Sequence, residues 1–266
     1  MKKLEICDSW PDSWKYCYPY DCLEIWGDTS HKGYAYAYRN REKFTLDLIR
    51  ESLSPGASIL DIAAAQGNFT LALAESGYKL TWNDLREDLE GYVRLKWDHG
   101  DIEFAPGNAF ELGFNKHFDC VLITEIIEHV AHPDEFLRKV STMVKDGGYI
   151  VMSTPNGRYF RNNLPRFSDC SDPSQYESVQ FKPNSDGHIF LLWKDEVEEL
   201  AKRTGLVLEK HLVFSNALTS GHIKLEKVLK VCPGKIVDWA EKVSQKLPFG
   251  LNEIVCAHSA TRFRKV

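Results

Sequence analysis

The sequence predicts a doubly wound α/β fold, in which helices cover both faces of a mostly parallel sheet. Short apolar runs alternate along the chain with helical patterns, which is typical of βα units. With 266 residues the chain is long enough to bury a substantial core. Its 43% of hydrophobic and 27% of charged residues are ordinary for a globular protein. We expect a single domain, residues 1–266, with helical and loop insertions.

The predicted elements follow one another in a regular order. Residues 1–37 are rich in aromatic residues and predict an irregular or short-helical lead-in or lid, after which a helix spans Arg39–Leu53. The core that follows, residues 38–154, carries five predicted strands: Ser58–Ile62, Lys79–Asn83, Ile102–Ala105, Cys120–Thr124 and Tyr149–Ser153. Its predicted helices are Asn68–Glu75 and Asp134–Val144. A helix at Lys194–Thr204 and two closing strands at Leu206–Phe214 and Glu253–Phe263 complete the fold.

Two segments interrupt this alternation. Residues 155–190 are rich in Asn, Pro, Ser and Asp, and so long a loop in a compact domain is typical of a lid or binding segment. We expect this segment to contact the acceptor substrate. Within the closing part, residues 191–266, a helical insertion is predicted at 220–248. There Ile236, Ala240, Val243 and Leu247 recur at helical spacing, which favours a packed face over a membrane anchor.

The charge is spread unevenly. The net charge is −5, yet the chain from Lys202 onward holds 12 Lys and Arg against 5 Asp and Glu. The overall acidity argues against nucleic acid as a partner. The basic end is either a solvated helical face or a docking patch for an anionic partner or membrane surface.

The cysteine pattern and the apolar runs bear on location. The seven cysteines include no CxxC pair, which is typical of reduced thiols. Residues Met1–Trp14 hold two lysines without a hydrophobic stretch behind them, unlike a signal peptide. No apolar run approaches the length of a membrane span. We expect a cytoplasmic protein.

The segment Ile59–Thr70 predicts a nucleoside-binding turn. The first strand ends in small residues before a helix, so a ligand can approach the backbone and the free N–H groups of the helix start. Asp84 ends the second strand, where an acidic side chain can accept both hydroxyls of a ribose. A dinucleotide would need G-x-G-x-x-G, but here only Gly67 remains and alanines stand at Ala63 and Ala65. This disfavours a nicotinamide oxidoreductase.

With these residues and the segments downstream, the sequence resembles the class I S-adenosylmethionine-dependent methyltransferases. DIAAAQGNF is similar to their first motif, D-x-G-x-G-x-G, with two glycines replaced by alanine, and HFDCVLITEIIEHVAHPDEFLRKVSTMVKDGGYIVMSTPN is similar to their fourth and fifth strands. The resemblance covers about Tyr38–Leu212 and implies a Rossmann-like sheet with S-adenosylmethionine as cofactor. It also implies that Asn108 holds the adenine amino group. The expected cofactor-binding residues are Asp61, Ala63, Ala65, Gly67, Asn68, Asp84, Leu85, Asn108, Ala109 and Glu125.

Beyond the fourth strand lies a set of residues suited to catalysis. Glu125, Glu128 and His129 are spaced to share one face if their segment is helical, and His188 follows the long loop. Two carboxylates and two imidazoles suit Mg, Mn, Fe, Co or Zn. Without a metal, the two glutamates would contact the cofactor and cap a helix, His129 would act as a general base, and His188 would pack under the lid.

The same residues carry a narrower resemblance. E-x-x-E-H with a later histidine resembles the O-methyltransferases of ubiquinone biosynthesis and the enzymes that methylate the 2′-hydroxyl at the 3′ end of small RNAs. In the RNA enzymes these four positions bind a divalent metal. The resemblance implies Glu125, Glu128, His129 and His188 as metal ligands, with Glu128 and His129 catalytic.

The sequence thus predicts an S-adenosylmethionine-dependent O-methyltransferase, assisted by a divalent metal. The expected acceptor is a small molecule with adjacent oxygens, such as a catechol, quinol, sugar or natural-product intermediate. The alternatives are an RNA 3′-end 2′-O-methyltransferase, a metal-free N- or C-methyltransferase of a small molecule, and a binding protein without catalysis. The acceptor, the methylated atom and the oligomeric state are left open.

Overall fold

A seven-stranded sheet organises the part of the chain that the computed structural model describes, residues 1–28, 30–180, 187–220, 225–248 and 250–266. Its order is β3-β2-β1-β4-β5-β7-β6, and all pairings are parallel except those of β7, which runs antiparallel to both neighbours. The strands are β1 Ser58–Ile62, β2 Lys79–Asn83, β3 Asp101–Phe104, β4 Phe118–Thr124, β5 Val144–Pro155, β6 Leu206–Phe214 and β7 His258–Lys265.

Helices lie on both faces of this sheet, as predicted. The described helices are α1 Asp12–Glu24, α2 Lys32–Arg50, α3 Asn68–Glu75, α4 Leu89–Lys96, α5 Pro133–Met143, α6 Lys194–Arg203, α7 Glu226–Val231, α8 Gly234–Gln245 and α9 Leu251–Val255. One core packs α1 to α4 against the sheet, and a second core packs α5 and α6 against its other face. Along β1, Ile59 belongs to the first core and Leu60 to the second, because successive strand residues point to opposite faces.

Several boundaries differ from those predicted. Helix α2 begins at Lys32 rather than Arg39, so the lead-in is helical for most of its length. The sequence analysis missed α4, although four of its residues are buried at helical spacing: Leu89, Tyr92, Val93 and Lys96. The last strand begins at His258 rather than Glu253, because α9 precedes it. Parts of two predicted insertions, residues 181–186 and 221–224, lie outside the described residues.

The predicted packed face of α8 was wrong. Ile236 and Val243 are 52% and 41% exposed, whereas Val237 and Glu241 are buried. The Glu241 carboxylate accepts hydrogen bonds from the backbone N–H groups of Ser215 and Asn216, at 2.7 and 3.1 Å. These two N–H groups follow β6 and have no strand partner of their own. Because these N–H groups need an acceptor, the Glu241 carboxylate faces inward, and Ile236 and Val243 therefore face solvent.

A buried ion pair joins the lead-in to the core. The Lys96 ammonium lies 2.8 Å from Asp21 Oδ2, and both side chains are fully buried. Asn68 links the same groups, since its amide N–H donates to Asp21 and its oxygen accepts from Lys96. Because a buried charge is costly without its partner, α1 is held against α3 and α4.

Among the described residues no helix is both long and apolar enough to cross a bilayer.

Candidate functional site

A cavity of about 890 Å³ opens at the carboxyl ends of the parallel strands β1, β2 and β4. This is where ligands bind in open α/β sheets, at the point where the strand order reverses. Nine of the predicted site residues line it: Ala63, Ala65, Asn68, Asp84, Leu85, Asn108, Ala109, Glu125 and His129. The other four, Asp61, Gly67, Glu128 and His188, do not line it.

The turn after β1 has the backbone shape that glycines usually provide. Ala63, Ala65 and Gly67 all have positive φ angles, of 56°, 48° and 72°. The Ala65 N–H donates to Asp84 Oδ2 at 2.8 Å, and the Ala64 N–H donates to the Asn83 carbonyl at 2.9 Å. The turn is therefore fastened to the end of β2. The two alanines keep the geometry of the glycine motif at a cost in backbone strain.

Gly67 and Asp61 support the turn from outside the cavity. A Cβ on Gly67 would lie 2.9 Å from the Val93 methyl groups, so this position needs glycine for space as well as for φ. Asp61 is buried at the end of β1 and accepts a hydrogen bond of 2.6 Å from the Thr70 hydroxyl. Burial raises the pKa of Asp61 to about 7, and the Thr70 hydrogen bond only partly offsets this.

Asp84 stands at the cavity wall with its carboxylate already engaged. Besides the Ala65 N–H, it accepts from the Arg86 backbone N–H at 2.9 Å and from the Arg86 guanidinium at 3.0 and 3.2 Å. The Arg86 side chain is 45% exposed. A ribose that bound both oxygens would share them with this guanidinium or displace it toward solvent.

The residues expected to surround adenine are one polar residue, Asn108, and two apolar residues, Leu85 and Ala109. The Asn108 side-chain oxygen accepts from the Phe110 N–H at 3.1 Å, and its amide group donates to Glu111 at 2.7 Å. The predicted contact between Asn108 and an adenine amino group would have to use the second lone pair of that oxygen. Leu85 is largely exposed and Ala109 is buried, and both present apolar surface to the cavity.

The opposite wall comes from helices α1 and α2, and none of its residues was predicted as a cofactor-binding residue. Glu24, Tyr38 and Arg41 line the cavity. Glu24 accepts hydrogen bonds from the Tyr34 hydroxyl at 2.6 Å and from the Asn68 amide at 2.8 Å, and burial raises its pKa. No motif marked these residues, because they meet the turn only through the packing of α1 and α2 on the core.

Three of the four predicted ligands meet in one group. Ligand atoms of Glu128, His129 and His188 all lie within 4.8 Å of one another, and the two imidazole rings are 4.9 Å apart. The Ile189 N–H donates to the Glu128 carbonyl at 2.7 Å, which fastens the end of the long loop beside the residues that follow β4. His129 also lines the cavity, so the group borders it.

The electrostatics of this group fit a cation. Glu128 Oε2 accepts from the Thr154 hydroxyl at 3.0 Å, but Oε1 is buried without a hydrogen-bond partner. Burial and the nearby Glu125 carboxylate hold the pKa of Glu128 well above its usual range. His129 Nδ1 lies 3.0 Å from the Gly187 carbonyl, which can only accept, so Nδ1 carries a proton and Nε2 is the ring nitrogen left for a ligand. An unsatisfied carboxyl oxygen and two imidazoles suit a divalent metal.

Glu125 is not a member of this group, although its carboxylate is near enough to raise the pKa of Glu128. It has a positive φ of 53°, and the short helical turn begins only at Ile127. The helical segment on which a shared face of Glu125 and Glu128 depended is therefore not formed. Glu125 accepts from the Ser153 hydroxyl at 2.9 Å and lies 3.3 Å from the Arg41 guanidinium. Burial raises the pKa of Glu125, but Arg41 and the neighbouring histidines outweigh this and lower it.

Comparison with known proteins identifies the family. Residues 35–211 match the family profile described as a methyltransferase domain. The chain belongs to this family. Together with the fold and the relatives below, this makes it an S-adenosylmethionine-dependent methyltransferase.

Two relatives and one solved structure show which proteins this chain is similar to. The ubiquinone biosynthesis O-methyltransferase of Caulobacter vibrioides is 35% identical over 38% of this chain and 42% of its own length. The ubiquinone/menaquinone biosynthesis C-methyltransferase of Hahella chejuensis is 32% identical over 73% of this chain and 82% of its own length. The chain spans about a third to a half of the length of the ubiquinone biosynthesis O-methyltransferases it matches, from 32% to 54%. An S-adenosylmethionine-dependent methyltransferase from Mesorhizobium loti shares the fold, with a TM-score of 0.55 at 16% identity over 82% of this chain and 96% of that one.

The strained turn makes a prediction about folding stability. Ala65→Gly removes the backbone strain of a left-handed alanine, which is about 1–2 kcal/mol. The greater entropy of the unfolded glycine variant lowers its stability by about 0.4–1 kcal/mol. Its free energy of unfolding should rise slightly, as measured by chemical denaturation. Ala64→Gly is the matched control, since Ala64 has no positive φ, and it should lose about 0.4–1 kcal/mol. Equal losses in both variants would contradict a strained Ala65.

The raised pKa of Asp61 makes a second prediction. Between about pH 4 and pH 7 the folded state binds more protons at Asp61 than the unfolded state, so stability falls as pH rises and levels off above 7. Asp61→Asn keeps an acceptor for Thr70 and should remove a fall of up to about 4 kcal/mol in unfolding free energy across this range.

Asp119 is the control of opposite sign. Partial burial raises its pKa, but hydrogen bonds from Lys145 and Ser58 outweigh this and lower it. Asp119→Asn should therefore lose stability at neutral pH relative to pH 3. A difference between Asp61→Asn and the wild-type protein that stays constant with pH would contradict the raised pKa of Asp61.

Proposed function

We propose that the protein is an O-methyltransferase that acts, with a divalent metal, on a hydroxyl of a small molecule with adjacent oxygens. The observation that carries the proposal is that Glu128, His129 and His188 meet beside the cofactor cavity, with His129 belonging to both. The match to ubiquinone biosynthesis O-methyltransferases supports the same reaction class.

The cavity suggests how the cofactor lies. We expect the ribose at Asp84 and the adenine between Leu85 and Ala109, because those residues supply acceptor oxygens and apolar walls. The methionine end would then lie by the turn after β1. The sulfonium would face the end of β4, where Glu125 and His129 line the cavity.

The transfer needs a positioned nucleophile and a proton acceptor. The acceptor oxygen forms a bond to the sulfonium methyl carbon while the carbon–sulfur bond breaks, leaving S-adenosylhomocysteine and a methyl ether. With no metal bound, the neutral form of His129 would take the hydroxyl proton on Nε2. A metal held by Glu128, His129 and His188 would bind that lone pair and would instead lower the pKa of a bound hydroxyl, so that its proton leaves to solvent. Glu125 stands outside this set and, through Arg41 and Ser153, fixes the wall between cofactor and acceptor.

The long loop, residues 155–190, is proposed as the acceptor segment. The Gln180 side chain accepts from the Ala131 N–H at 3.0 Å and lines the cavity, and His132 lies 2.8 Å from Glu177. These contacts hold the described part of the loop near residue 180 beside the residues that follow β4. Residues 1–37 would close the other side, since Glu24 reaches the cavity from α1.

C-methylation is a second candidate. It is favoured by the Hahella chejuensis C-methyltransferase, which aligns with 73% of this chain, more than the O-methyltransferases do. A hydroxylated ring that loses a proton to His129 can accept the methyl group on carbon instead of oxygen. The two reactions are separated by the product, since only O-methylation of a catechol yields an aryl methyl ether.

The metal group is tested with Co²⁺ as probe. The wild-type protein should bind Co²⁺ with visible absorption bands, and chelation should lower methylation of a catechol probe. His188→Ala and Glu128→Gln should each weaken Co²⁺ binding by at least about 10- to 100-fold, the loss already typical of removing a residue that only supports a ligand, because each changes one ligand of three.

His99→Ala is the matched control, because His99 is exposed, pairs with Asp98 and lies outside both the group and the cavity. It should leave Co²⁺ binding unchanged. If turnover of the catechol probe is the same after chelation and in His188→Ala, metal assistance is contradicted and His129 alone remains as the base.

A further inference from the structure

Helices α7 and α8 each carry exposed apolar side chains, which together we call the α7–α8 face. Trp239 is 64% exposed and Val231 is 82% exposed. Such side chains are costly to leave in water, and contiguous ones mark an interaction surface. The apolar members of the face are Val228, Val231, Ile236, Trp239 and Val243.

Lysines flank these side chains on the same side of the helix. In α8 the buried positions are Val237 and Glu241, so the exposed side carries Ile236, Trp239 and Val243 in successive turns. Lys235 and Lys242 lie beside Trp239, at four and three residues from it. The exposed lysines of the α7–α8 face are Lys227, Lys230, Lys235, Lys242 and Lys246.

No acidic side chain of α8 neutralises these lysines. The helix has two acidic residues, Asp238 and Glu241. Asp238 is paired with Arg39 of α2 at 2.6 Å, and Glu241 is buried against the backbone that follows β6. The exposed side of α8 therefore combines lysine side chains with exposed apolar groups.

We propose that the α7–α8 face docks on the surface of an anionic lipid bilayer. An aromatic and aliphatic row flanked by lysines is the pattern of interfacial helices, in which apolar groups enter the headgroup region and lysines meet anionic lipid. A nucleic acid would match the charge but would leave the valines and Ile236 in water. A second copy of the chain would bring like charges together across a two-fold interface.

Docking there would set the cofactor cavity close to the lipid surface. Helix α8 is joined to α2 by the pair of Arg39 with Asp238, and α7 accepts a hydrogen bond from Lys32 through the Leu229 carbonyl. Helix α2 also carries Tyr38 and Arg41, which line the cavity. The docking proposal stands whether or not the proposed O-methylation is correct.

The test is flotation of the whole protein with vesicles of phosphatidylcholine, alone or mixed with phosphatidylglycerol. Binding should require phosphatidylglycerol and should fall steeply with added salt. The double variant Lys235→Glu with Lys242→Glu should lose at least about 100-fold in partition coefficient, because it reverses two charges at the surface. Trp239→Ser should lose about 10-fold or more, because it removes the largest apolar group of the face.

The matched control is Lys79→Glu with Lys202→Glu, which makes the same change in net charge on β2 and α6. It should keep nearly full binding, and all variants should bind S-adenosylhomocysteine as the wild-type protein does, which shows that they fold. The proposal is overturned if no vesicle binding occurs, or if both double variants lose it equally. It is also overturned if Trp239→Ser instead abolishes a dimer, or if the face binds short RNA in preference to vesicles.

Discussion

The cofactor cavity depends on one backbone constraint, the left-handed turn that follows β1. Three residues with positive φ, Ala63, Ala65 and Gly67, reverse the chain tightly enough for α3 to begin beside the end of β2. The hydrogen bond from the Ala65 N–H to Asp84 then couples the turn to the residue expected to bind ribose. The expected site of cofactor recognition and the backbone strain thus lie at the same point of the fold.

The reactive side of the cavity is built from segments far apart in the chain. His129 follows β4, whereas His188 arrives after the long loop and is held by the backbone contact between Ile189 and Glu128. The left-handed Glu125 turns the chain away from β4 and toward Arg41. In the proposed function this ion pair would separate the cofactor from the acceptor, with the group of Glu128, His129 and His188 on the acceptor side.

The sequence predicted most of what is local. Strands β1, β2 and β6 begin and end where their apolar runs do, and the residues that end parallel strands, such as Asp84, were found because the sheet brings those ends together. What depends on tertiary packing was not predicted. Glu24 and Arg41 line the cavity only because α1 and α2 pack against the core, and no short sequence motif indicates this packing.

Side-chain direction was the other gap. Spacing alone put Ile236 and Val243 on a packed face, but two backbone N–H groups beyond β6 required the Glu241 carboxylate and so set the rotation of α8. Likewise the positive φ of Glu125 broke the helical spacing assumed for it. In both cases a hydrogen-bonding or backbone requirement outweighed the periodic pattern.

The central claim is that a methyl group is delivered from this cavity toward Glu128, His129 and His188. The most direct measurement is a crystal structure with S-adenosylhomocysteine bound. The account predicts the ribose on Asp84 and the sulfur at the end of β4, facing His129, with space for an acceptor between them. A sulfur atom that faces away from His129, or a cofactor bound elsewhere, would contradict it.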